Sequence, residues 1–139
     1  MAEICVGPLS LAKRLSMDPD SKLGWFELCL KVADIARSIA FYKKLGFRQT
    51  GGTIGEKCVI MQYDACRIAL YQGYLEKNML HFRGGNVMEI AQLLEERGTS
   101  AKKPPSEDEE GNQSFLIEDP DGNQVYFVHH TGEPPPAQL

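Results

Sequence analysis

Between Trp25 and Phe47 the chain changes its hydrophobic period once. Phe26, Leu28, Leu30 and Val32 alternate with Glu27, Cys29 and Lys31, which is the period-2 pattern of a strand with two unlike faces. From Asp34 the period lengthens. Ile35, Ile39, Tyr42 and Leu45, with Ala36 and Phe41 beside them, form the stripe of an amphipathic helix. Asp34 is suited to cap it, Lys43 and Lys44 fall in the last turn where the helix dipole favours cations, and Gly46 is a natural stop.

The pattern then continues extended from Arg48 and predicts a turn at Gly51-Gly52. Cys58–Tyr63 and Arg67–Tyr71, joined at Asp64-Ala65, read as a hairpin, and Tyr74–Asn78 is a polar connection. After it the opening unit recurs, about fifty residues on. Met79–Arg83 alternates like a strand; Asn86 caps a second helix with Glu89 in capping-box spacing; Val87, Ile90, Ala91, Leu93 and Leu94 form its stripe; Gly98 ends it. Lys102–Gly111, with two prolines and four consecutive acids, predicts a solvated loop. Ser114–Glu118 and Gln124–Val128 are strands around an Asp119–Asn123 turn.

The expected fold is α+β: a β-α-β-β-β module written twice, forming one curved mixed sheet with both helices on its outer face. Residues 24–131 make one domain, with modules of about 24–74 and 78–130. Residues 1–23 are an arm that packs on the domain, packs on a second subunit or stays disordered, and 132–139 are a frayed tail. Strand parity assigns Phe26, Leu28, Leu30, Leu80, Phe82, Val125 and Phe127 to the helix side. It assigns Glu27, Cys29, Lys31, Arg67, Ala69, Tyr71, Met79, His81, Arg83, Gln124, Tyr126 and Val128 to the other. An apolar floor with a few convergent polar groups is the lining of a small-molecule cavity, and an ordinary solvated sheet face would carry fewer aromatics.

Composition narrows the partners. A net charge of -4 and a pI near 5.4 argue against nucleic acid and anionic membrane, both of which require a basic face. There is no apolar run long enough to span a bilayer, and MAEICVGPLSLAKRLS lacks the basic region and apolar core of a signal peptide. Four cysteines (Cys5, Cys29, Cys58 and Cys66) have no zinc-site spacing, so reduced thiols in a cytoplasmic protein are expected.

The stretch VADIARSIAFYKKLGF resembles the opening signature of the vicinal-oxygen-chelate superfamily of glyoxalase, bleomycin-resistance and extradiol-dioxygenase proteins. FLIEDPDGNQVYF resembles its closing motif, and the likeness spans about residues 24–130. The resemblance implies paired βαβββ modules, a sheet cup around a ligand, and a homodimer. It also implies a divalent metal held by His and Glu, one from each of four strands. Those positions fall here on Glu27, Ala69, Met79 and Tyr126, of which Glu27 alone is a suitable ligand, with His81 able to substitute if the register differs by two. His129 and His130 follow the last strand at the expected rim.

The expectation is therefore a small-molecule ligand held by Cys29, Arg67, Tyr71, Met79, His81, Arg83 and Tyr126, with no cofactor and a divalent metal as the alternative. Arg67, His81 and Arg83 against the single acid Glu27 make the cup locally cationic and suit an anionic ligand. The alternative is an enzyme, a glyoxalase-like lyase, isomerase or dioxygenase, using Glu27 as metal ligand or as a general base whose pKa burial raises. Cys29 as a nucleophile lacks an identifiable base, and a scaffold role follows if the cup is filled by its own side chains.

Overall fold

A computed structural model describes residues 23–133; the expected arm and most of the expected tail lie outside the described residues. The elements run β1 (Gly24–Lys31), α1 (Ile35–Lys44), β2 (Arg48–Thr53), β3 (Cys58–Tyr63), β4 (Cys66–Tyr71), β5 (Met79–Gly84), α2 (Val87–Glu96), β6 (Lys103–Glu107), β7 (Gln113–Glu118) and β8 (Gln124–His129). Both helices begin where a short polar side chain meets the free N–H groups of the first turn. Asp34 accepts from the Arg37 amide at 3.2 Å and Asn86 from the Glu89 amide at 3.1 Å. The Asp119–Asn123 turn is held by Asp119, whose carboxylate accepts from the amides of Asp121 and Asn123.

The strands form one curved, open sheet in the order β2-β3-β4-β1-β5-β8-β7-β6. β1 and β5 pair antiparallel at its centre, each with a parallel neighbour, β4 and β8. The duplication seen in the hydrophobic pattern is therefore a structural one: two modules meet along β1 and β5. α1 buries Ile35 and Ile39 against Val59, Met61, Ile68 and Leu70. α2 buries Val87 and Ile90 against Phe115 and Phe127.

Three expectations change. Lys102–Gly111 is not all loop, because Lys103–Glu107 pairs with β7 as the edge strand of the sheet. Two prolines argue against a central strand, but at an edge their missing N–H groups need no partner, and the pairing is irregular between Lys103 and Ser106 where they sit. Gly51-Gly52 is not the turn. Both lie inside β2 beside a register shift, and the reversal comes at Ile54–Lys57. Gly52 has φ +72, and a Cβ there would collide with the Cys58 carbonyl, so the close approach of β3 demands glycine. Phe26 and Leu80 are on the helix side but are not covered: they remain 46% and 37% exposed. Each helix lies over the outer strands of its own module, which leaves the central pair β1 and β5 between them.

Candidate functional site

Register brings one residue from each of β3, β4, β1, β5 and β8 into a row across the helix-free face. Gln62 on β3 pairs with Arg67 on β4, Glu27 on β1 pairs with His81 on β5, and His81 pairs with Tyr126 on β8. The next row holds Ile60, Ala69, Cys29 and Met79. This is not a solvated face, since Glu27 is 1% exposed, Cys29 0% and His81 4%.

Glu27 is the hub. Its Oε2 accepts from Arg67 Nε at 2.7 Å. Its Oε1 lies 3.1 Å from His81 Nδ1 and accepts from Arg83 Nη1 at 3.3 Å. Burial works to raise the Glu27 pKa, but the hydrogen bond and charge of His81, the charge of Arg83 and the hydrogen bond from Arg67 outweigh it and lower it from 4.5 to about 2. The expectation that burial would make Glu27 a raised-pKa base is corrected on this point: His81 first, then the two guanidiniums, hold it as the anion. Arg83 reaches further, to Glu133 beyond β8, at 2.5 Å through Nη2.

Every residue expected in the site stands on this face. Arg67, His81 and Arg83 converge on Glu27, and Cys29 Sγ lies 3.4 Å from His81 Nδ1. The Tyr126 ring packs against His81 with centroids 5.4 Å apart. Tyr71 and Met79 pack one row away, around Cys29, Ile60 and Ala69. Burial first, then the charge of Glu27, pushes the Cys29 thiol up, which disfavours the thiolate that a nucleophile requires. His129 and His130 contribute nothing to the cluster. His130 is exposed, and His129 lines a separate cleft of about 400 Å³ near Gly84, Gly85 and Asn86 at the start of α2.

Two members were not legible. Ile60 lies in the run Cys58–Tyr63, apolar on both faces, so parity could not orient it. Glu133 lies in a stretch with no periodicity, and its pairing with Arg83 adds a second acid where the sequence suggested one. The cup is therefore less cationic than the sequence implied.

The architecture and the two motifs define a two-module sheet-cup protein. A family model described as the Glyoxalase/Bleomycin resistance protein/Dioxygenase superfamily matches residues 22–127, and the chain belongs to that family. No curated protein matches it. Among solved structures it is similar to a glyoxalase/bleomycin resistance protein/dioxygenase superfamily member from Vibrio splendidus 12B01, with 18% identity over 76% of this chain and 97% of that one, at a TM-score of 0.62. It is similar also to a protein described as NAD-dependent benzaldehyde dehydrogenase from Legionella pneumophila, with 19% identity over 75% and 97%, at 0.62. A hypothetical protein from Bacillus halodurans C-125 shares 14% identity over 83% and 98%, at 0.60. At these identities the likeness shows the fold alone.

The family often uses a divalent metal. Glu27, Cys29 and His81 offer ligand atoms within 4.8 Å of one another, close enough to converge on one ion. Their surroundings fit a metal poorly. Both Glu27 oxygens already accept from guanidiniums, whose positive charges would repel a dication. Among the described residues, no helix is long and apolar enough to cross a membrane.

Proposed function

We propose that this chain binds a small organic anion on the helix-free face of its sheet and does so without a metal, as a cytoplasmic homodimer. The observation that carries the reading is the double engagement of Arg83. One edge of its guanidinium is held on the floor by Glu27, while Nη2 takes a second carboxylate, that of Glu133, which comes from outside the floor. A ligand carboxylate competes for the same nitrogen. Arg67 stands on the other side of Glu27 as a second donor, and Tyr126, Tyr71 and Met79 supply apolar wall.

A thermal-shift screen of benzoates against neutral benzamides and cationic benzylamines tests this. Benzoates are expected to stabilise, by about 2.7 kcal/mol at a hundred times the dissociation constant. Arg83→Ala should abolish the shift, and Glu133→Gln should enlarge it by removing the competitor. Stabilisation by cations alone, or an unchanged benzoate shift in Arg83→Ala, overturns the reading.

The proximity of Glu27, Cys29 and His81 favours a second reading, a metal-dependent lyase or dioxygenase. Untagged protein dialysed against Zn²⁺, Ni²⁺ or Mn²⁺ distinguishes the two. Well under one equivalent of retained metal is expected, and stoichiometric metal lost in Glu27→Gln would restore the enzyme.

A further inference from the structure

Among the described residues, the imidazole of His81 has its polar partners at one nitrogen. Nδ1 lies 3.1 Å from Glu27 Oε1 and 3.4 Å from Cys29 Sγ. Nε2 is buried and has no hydrogen-bond partner among the described residues. Glu27, doubly held by arginines, is a carboxylate and can only accept, so the hydrogen between it and His81 belongs to Nδ1. In the neutral ring Nε2 then carries the lone pair. Nε2 is also the ring nitrogen further from the backbone, and His81 stands in the row on the helix-free face. Tyr126 packs against the ring and restricts its rotation.

We propose that His81 Nε2 is the acceptor that selects the ligand, taking a hydroxyl or N–H carried beside the anionic group that Arg83 binds. The preferred ligand class is then a hydroxy- or amino-substituted aromatic carboxylate rather than a simple one. Glu27 acts through His81 as a positioning residue that fixes the tautomer. This inference rests on the reading of the cup as an anion site. A site built to pair a hydroxyl rejects the analogue that lacks its hydrogen, because the buried acceptor is left without a partner.

Long-range ¹H–¹⁵N spectra of the labelled full-length chain read the tautomer directly, and with three histidines a His81→Phe variant assigns the resonance. The expected result is a protonated Nδ1 and a bare Nε2, whose resonance moves on adding hydroxybenzoates but not methoxybenzoates. By calorimetry the best hydroxybenzoate should bind about tenfold or more tighter than its methoxy counterpart. That ratio should fall to about one in His81→Phe, which keeps a ring against Tyr126. A bare Nδ1 with a protonated Nε2 overturns the assignment whatever binds. If no carboxylate binds, the anion-site reading fails and takes this inference with it.

Discussion

Glu27 decides the electrostatics of the helix-free face. Its folded-state pKa, about 2, lies below its ordinary 4.5, so the group contributes stability that is fully present above pH 4.5 and is lost as pH falls toward 2. A displacement of that size corresponds to about 3 kcal/mol. Urea unfolding of wild type and Glu27→Gln between pH 7 and pH 2 checks it. The stability gap between them should be widest at neutral pH and narrow by about 3 kcal/mol across this window, whereas a constant gap would mean that His81 and the arginines do not hold the anion. The same geometry makes Glu27 a poor proton acceptor near neutrality and shifts attention to its neighbour His81. Residue types at 27, 67, 81 and 83 were readable as a set facing one way because the side-chain period of a strand is two. Which of them touch was not readable, since that depends on pairing between strands whose contacting residues lie 40 to 56 positions apart.

The elements show where local patterning is sufficient and where it stops. Both helices form where cap, stripe and glycine coincide, each signal lying within a dozen residues. β6 escaped because its prolines are strand breakers everywhere except at an edge, and edge position is a property of the whole sheet. Phe26 and Phe127 show the same dependence on context. Both belong to the helix side, yet Phe127 is 3% exposed and stacked on Phe115 at 4.7 Å, while Phe26 is left between the helices. Phe127→Ala should cost about 3–5 kcal/mol. Phe26→Ala should cost about 1 kcal/mol or less, because the site is open to water and leaves no sealed cavity. Chemical denaturation of the two variants separates the cases; equal losses would mean that β1 is covered as deeply as β8.

For the molecule as a whole, the pairing of β1 with β5 matters most, because it joins both modules into one sheet within a single chain. A homodimer remains the proposed assembly. Sedimentation at micromolar concentration should give about twice 15.5 kDa. A monomer would mean that the β1–β5 junction completes the cup without a second subunit. Ligand should raise the melting temperature in either state, since binding to the folded form alone stabilises it by mass action.

The sequence by itself determined the duplication, the class of fold, both helices with their caps, and the faces of β1, β4, β5 and β8. These follow from periodicity and local hydrogen bonding, whose range is a turn or a pleat. Tertiary structure alone decided that Glu27 is ionised and not a raised-pKa base. It also placed Glu133 on Arg83, directed His81 Nδ1 at Glu27, and left Phe26 uncovered. Each of those outcomes depends on distances between charges or surfaces remote in the chain, where burial and pairing oppose each other and the geometry determines which prevails.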